Sequence, residues 1–136
     1  AAPDLGTPLG LRDRAMLELM YASGLRVSEL VTLKTVHLSL VDGALRVTGK
    51  GAKERLLPFG EEAHGWLTRY LEEVRAEILD GQASDALFVT ARGGAMTRQM
   101  FWNLVKKYAL RVGIPQAGVH AVEIQFQGSH GSLFSI

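Results

Sequence analysis

The chain has 136 residues, 47% hydrophobic and 21% charged, with a formal net charge of +1, which is enough apolar material for one buried core and points to one domain. It has no cysteine, its histidines (37, 64, 120 and 130) show no ligand spacing, and no apolar run approaches the ~18–20 residues that cross a bilayer. Disulfide scaffolds, zinc modules and membrane spans are thereby set aside; the expectation is a cytoplasmic protein with no metal and no cofactor.

Thr7-Pro8 supplies a capping residue and a proline for a first helix, and Leu11, Ala15, Leu19 and Ala22 recur at about one turn up to Ser23. Gly24 suits the left-handed conformation that ends a helix, and Val27, Leu30, Val31 and Leu33 give a second helix, from Arg26 to about Leu33, its apolar face. Arg26 is thus held at a joint. The positive end of a helix dipole repels an arginine, so the position is poor for stability and good for aiming a planar, permanently charged fork at an anion such as phosphate. A plainer reading pairs Arg26 with Glu29 three residues on, an interaction worth ~0.2–0.5 kcal/mol.

The pattern then favours strands. Leu38 and Leu40 precede Asp42-Gly43, a hairpin signal, and Leu45-Arg46-Val47-Thr48 follows. A second turn, Gly49-Lys50-Gly51-Ala52, leads into Lys53 to Pro58, which predicts a three-stranded antiparallel sheet over about 37–58 ended by the proline. From Glu61 to about Leu79, Ala63, Leu67, Tyr70, Leu71, Val74 and Ile78 mark one face of a helix stopped by Asp80-Gly81. Leu87-Phe88-Val89 is too short to assign, and Arg92-Gly93-Gly94 is a turn. Thr97 caps a last helix to about Val112, with Phe101, Leu104, Val105 and Tyr108 on its apolar side; Gly113 and Pro115 close it. Phe101 and Trp102 are both assigned to the core. Residues 116–136 contain no lysine or arginine and no helical period, and read as a loop-like tail in which Val119 to Phe126 alternates like an extended piece. No internal repeat or linker is present.

The small net charge conceals an uneven distribution. Residues 61–80 hold six acids against Arg69 and Arg75, whereas 81–115 hold Arg92, Arg98, Lys106, Lys107 and Arg111 against Asp85 alone. This supports a basic face beside an acidic one, although two solvated helix faces give the same asymmetry.

Leu25-Arg26-Val27-Ser28-Glu29-Leu30, Gly49-Lys50-Gly51-Ala52-Lys53-Glu54-Arg55 and Met96-Thr97-Arg98-Gln99 with Phe101-Trp102, in this order, closely resemble the tyrosine recombinases, and within them the Xer type. The resemblance covers residues 7 to about 115. It implies an α+β fold, mostly helical with a small three-stranded antiparallel sheet, that cuts and rejoins double-stranded DNA through a phosphotyrosine link. By resemblance Arg26 is the first catalytic arginine, holding the non-bridging oxygens of the scissile phosphate, and Lys50 is the catalytic lysine that supplies a proton to the leaving oxygen. Lys53 and Arg55 on the hairpin, and Thr97, Arg98 and Gln99 at a helix start, are the expected DNA contacts. Glu29 is read as a brace for the arginine.

The family's next elements, a His-x-x-Arg motif, a second histidine or tryptophan and the tyrosine nucleophile, are not intact. His120 falls near the first, but Glu123 occupies the arginine position and a carboxylate repels a phosphate. Tyr21, Tyr70 and Tyr108 occupy apolar helix positions and are expected to pack. The expected organisation is therefore a partial catalytic domain over 1–115 and an atypical tail over 116–136, from truncation, a frameshift or added sequence. An apolar surface left uncovered in this way would be met by self-association, by another recombinase subunit, or by the tail. Three readings follow: site-specific recombination by a catalytic domain that is inactive alone, a non-catalytic remnant that binds DNA or regulates a complete recombinase, or a structural remnant with no function.

Overall fold

A computed structural model describes residues 5–48, 51 and 53–112. Helix α1 (Pro8–Ser23) begins where the Thr7 hydroxyl accepts the Gly10 N–H at 3.1 Å, with proline in its first turn. Its buried face is formed by Leu11, Ala15, Met16, Leu19 and Met20. Tyr21 and Ala22 fall outside this stripe and are exposed, Tyr21 by 84%, so the expectation that both pack inward is corrected. At 100° per residue, position 21 has already rotated away from the stripe that ends at 20.

Helix α2 (Val27–Val31) is one turn and a half, shorter than the expected run to Leu33. The chain leaves it through Leu33 and an extended Lys34 because the backbone pairs elsewhere: the Thr35 N–H donates to the Asp85 carbonyl and the Leu87 N–H to the Leu33 carbonyl, both at 2.9 Å. A 3₁₀ turn over Thr35–His37 leads into a sheet of β1 (Leu38–Ser39), β2 (Ala44–Thr48) and β3 (Glu54–Pro58), antiparallel in sequence order. Leu45 pairs with both Leu38 and Leu57, and Val47 with Arg55. Leu45 and Val47 are buried, whereas Arg46 and Thr48 face out, as alternation requires.

The expected single helix over 61–79 begins at Gly60 and contains a break. Helix α3 (Gly60–Arg69) passes into a π-helical turn over Tyr70–Val74 before α4 (Arg75–Leu79), which Asp80 ends in the left-handed region at φ 48°. The π turn faces the segment 84–89, whose buried Leu87, Phe88 and Val89 form no strand; the segment bridges only at Lys34–Ala86 and Val89–Ala95. Side chains satisfy its carbonyls instead. The Tyr70 hydroxyl donates to the Leu87 carbonyl at 2.6 Å and accepts the Val89 N–H at 3.1 Å. Arg75 donates to the carbonyls of Ser84 (2.9 Å), Ala86 (2.6 Å) and Leu87 (3.2 Å).

Helix α5 (Arg98–Val112) is capped as expected, its Met100 N–H donating to the Thr97 hydroxyl at 3.1 Å, and Phe101, Leu104, Val105 and Tyr108 are buried. Trp102 is only half-buried and packs at the edge of the core, with the Lys106 ammonium 5.7 Å from its ring, which corrects its full assignment to the interior. Helix α1 packs on α3, and α5 on α2, so the core lies between the helices and the inner sheet face. The fold is α+β and mostly helical, as expected. Lys50, His120 and the segment 116–136 lie outside the described residues.

One charged pair is sealed inside. The Arg12 guanidinium donates through Nε (2.9 Å) and Nη2 (2.8 Å) to Asp13 Oδ1 and through Nη1 (3.1 Å) to the Val89 carbonyl, while the Tyr108 hydroxyl donates to Asp13 Oδ2 at 2.5 Å. Asp13→Ala would strand the guanidinium without its counter-charge, and is expected to cost about 3–5 kcal/mol in denaturant unfolding.

Tyr70 gives a pH signature. Burial pushes its phenol from 10.0 up to about 12, against the opposing pull of the Val89 N–H and of Arg75 and Arg12. The unfolded chain therefore releases this proton first, so the contribution is intact below pH 10 and is lost as pH rises towards 12. Two units correspond to about 2–3 kcal/mol. Unfolding followed from pH 9 to 12 is expected to show this loss, and Tyr70→Phe to lack that part of the slope.

Candidate nucleic-acid interface

The site is built on the joint between α1 and α2. Gly24 adopts φ 70° and its N–H donates to the Met20 carbonyl at 3.0 Å, ending α1 and turning the chain outward. Leu25 and Val27 are buried on either side of Arg26, which is itself exposed. The residue is fixed through its neighbours while its guanidinium faces solvent. The short α2 carries little dipole, so the repulsion expected from a longer helix is small.

Glu29 determines what Arg26 can do. Its Oε1 accepts the backbone N–H of Arg26 at 3.0 Å, and its Oε2 lies 3.6 Å from the Arg55 guanidinium on β3. The simple side-chain pair between Arg26 and Glu29 is therefore not formed, and Arg26 takes part in no ion pair among the described residues. Sequence reasoning identified the brace but not its second partner, because Arg55 reaches Glu29 only once the sheet has formed. The Glu29–Arg55 pair is largely exposed and contributes at most about 1 kcal/mol. Its effect is positional, since it ties the hairpin to α2.

The remaining predicted contacts divide. Lys53 is exposed beside β3. Thr97 spends its oxygen on the α5 cap, and the Gln99 amide donates to Asn103 Oδ1 at 2.9 Å, so both side chains are already engaged. Arg98 is half-buried at the first turn of α5. The structure joins Arg26, Glu29 and Arg55 directly, and α5 packs against α2.

A wide cleft of about 1040 Å³ between the start of α1 and the side of α5 includes Arg12, Asp13, Met100 and Tyr108 but none of Arg26, Lys53, Arg55 or Arg98. A phosphate backbone is met by an exposed cationic face and not by a deep hollow, so cleft size does not locate this interface. Among the described residues no group of three or more acidic, histidine or cysteine side chains could hold a metal, and no helix is long and apolar enough to cross a membrane.

Comparison with known proteins gives the family and the fold. The model of the phage integrase family matches residues 1–123. The chain is 64% identical over 115 residues to a tyrosine recombinase XerD of Ralstonia nicotianae, covering 84% of this chain and 37% of that protein. It is 53% identical over 114 residues to the XerD of Vibrio cholerae, covering 84% of this chain and 38% of the relative. The chain thus spans little more than a third of the curated relatives it matches. The fold is similar to that of a XerH site-specific recombinase bound to a difH substrate in a pre-cleavage complex, with a TM-score of 0.70 at 19% identity over 95% of this chain and 39% of that one. It is also similar to a XerA recombinase, with a TM-score of 0.59 at 24% identity over 88% of this chain and 43% of that one.

Gly24 carries the mount of Arg26 through its backbone alone, since a Cβ there would meet no atom within 4 Å. Gly24→Ala is expected to lose about 1–2 kcal/mol, the penalty of a left-handed residue, and Gly24→Asn to lose less. Denaturant unfolding of the two variants checks the order.

Proposed function

The chain belongs to the phage integrase family, and from that premise we propose that it supplies the phosphate-gripping part of a site-specific recombinase, which cleaves and rejoins double-stranded DNA. Arg26 holds the non-bridging oxygens of a DNA phosphate, Lys50 supplies the proton to the leaving oxygen, and Lys53, Arg55, Thr97, Arg98 and Gln99 line the duplex. Residues 1–115 form the partial catalytic domain and 116–136 a tail outside it; His120 has no assigned role. The observation that carries the reading is the exposed guanidinium of Arg26, in no ion pair among the described residues, on a backbone fixed by Gly24 and Glu29. A planar fork held in this way stabilises charge developing on a phosphate, because no reorganisation is needed when it forms. The proposal includes a cytoplasmic location and double-stranded DNA as the partner. It includes pairing with itself or another recombinase subunit, supported by the exposed apolar side chains of Leu9 and Met100 on the wide cleft.

A second reading, DNA binding or regulation without cleavage by this chain, is favoured by the state of its tyrosines. Tyr70 is buried with its phenol raised to about 12, and Tyr108 donates to Asp13. Tyr21 is exposed but makes no hydrogen bond among the described residues that would activate it. The 136-residue chain, incubated with a nicked duplex that traps covalent intermediates, is expected to give no protein–DNA band in a denaturing gel. It is expected to bind the same duplex in a salt-dependent manner, and Arg26→Gln to weaken that binding roughly threefold to tenfold. A covalent band would refute the second reading, and absence of binding at low salt would refute both.

A further inference from the structure

We propose that Arg46, His37 and Thr48 form a second phosphate site, which takes a backbone phosphodiester of duplex DNA in the cleft between α2 and the sheet. The proposal rests on the DNA-binding reading above and adds to it a contact separate from Arg26. The cleft has a volume of about 170 Å³, enough for several waters at about 30 Å³ each, and is lined by Glu29, Thr32, His37, Arg46 and Thr48 with apolar neighbours.

Its chemistry is that of a donor site. Arg46 stands on the outward face of β2 opposite the apolar Leu56, and it enters no ion pair among the described residues. The Lys34 N–H donates to His37 Nδ1 at 2.9 Å, so that nitrogen accepts and Nε2 is left as the ring's donor. The Thr48 hydroxyl is exposed and makes no hydrogen bond among the described residues. The two other polar lining residues are already spent. Thr32 donates its hydroxyl to the Ser28 carbonyl at 2.6 Å, and Glu29 has one oxygen on the Arg26 N–H and the other facing Arg55. A guanidinium, an imidazole N–H and a hydroxyl suit an anion, and the charge of the Glu29 carboxylate in the same lining is offset by Arg55 at 3.6 Å.

Position selects the source of that anion. Glu29 lines this cleft and also braces Arg26, so the cleft borders the proposed scissile-phosphate site. A duplex carries one phosphate per ~1.7 Å of axis over both strands, so a backbone held at Arg26 brings further anions close by. The arrangement extends the grip along the backbone and reads no bases.

The test uses the full chain and a labelled duplex, with fluorescence anisotropy over a salt series and a thermal melt to verify folding. Arg46→Gln is expected to weaken binding about fivefold to tenfold at ~0.1 M salt, equally for unrelated sequences, and to lower the slope of log K against log salt by about one. Arg46→Lys, which keeps the charge, is expected to restore most of the slope. An unchanged slope and affinity in Arg46→Gln, with Arg98→Ala still weakening binding, would overturn this site and leave the DNA reading in place. Wild-type chain that binds no duplex at low salt would overturn both.

Discussion

Arg12 and Asp13 place a complete ion pair inside the protein, with side chains only 9% and 6% exposed, and the arrangement of the helices depends on satisfying it. Removing two charges from water costs several kcal/mol per ion, which Coulomb attraction offsets only when every remaining donor and acceptor is used. Here both carboxylate oxygens and all three guanidinium nitrogens are engaged, across three elements. Asp13 Oδ1 takes two guanidinium hydrogens, Oδ2 takes the Tyr108 hydroxyl from α5, and the third guanidinium nitrogen takes the Val89 carbonyl. Sliding α1 against α5 or the 84–89 segment would leave a buried Asp13 oxygen or Arg12 N–H without its partner, so the pair acts as a registration device among elements that apolar packing alone would hold less strictly.

The registration reaches Arg26 through the backbone. Segment 84–89 is fixed on one side by Arg12 and bonds on the other to Leu33 and Thr35, the residues that follow α2. Tyr70 and Arg75 complete its enclosure, and the π turn between them explains how they can. In a regular α-helix five residues advance ~500°, leaving positions 70 and 75 about 140° apart; widening the turn to i→i+5 bonding brings both onto the side facing Leu87. Both then donate to one carbonyl. The irregular turn thus trades local helix regularity for a buried segment with its backbone groups satisfied.

Much of the scaffold was legible in the sequence because its signals are local. Thr7-Pro8, Asp42-Gly43, Asp80-Gly81 and Thr97 each act on residues within one turn, and each bounds an element where expected. The apolar periods of α1 and α5 likewise identify their buried faces up to the terminal turn, where Tyr21 and Ala22 rotate outward. Long-range polar pairing was not legible. Arg12 reaches Val89 across 77 positions and Tyr108 reaches Asp13 across 95, and nothing in an Arg-Asp dipeptide distinguishes such a pair from a solvated one. The π turn was hidden for a similar reason, because Tyr70 and Val74 fit an α-helical stripe and only the distant carbonyl at Leu87 favours the wider turn. At the site, the motif around Arg26 was readable, whereas the role of Arg55 required the sheet to bring it to α2.

That distant arginine is what leaves Arg26 available. An i,i+3 pair of Arg26 with Glu29 would neutralise the fork before any phosphate arrived. Instead one Glu29 oxygen is held by the Arg26 backbone N–H, so the carboxylate stays with the first turn of α2, and the other faces Arg55 at 3.6 Å. The exposed Glu29–Arg55 pair adds little to stability, since solvent screens it and two long side chains must be ordered to form it. Its consequence lies in the distribution of charge. The single carboxylate at the joint is compensated from the hairpin side, and the guanidinium of Arg26 keeps its full charge on the exposed side, where an approaching anion would meet it. A pair that is nearly neutral for folding thereby decides the charge that Arg26 presents to solvent.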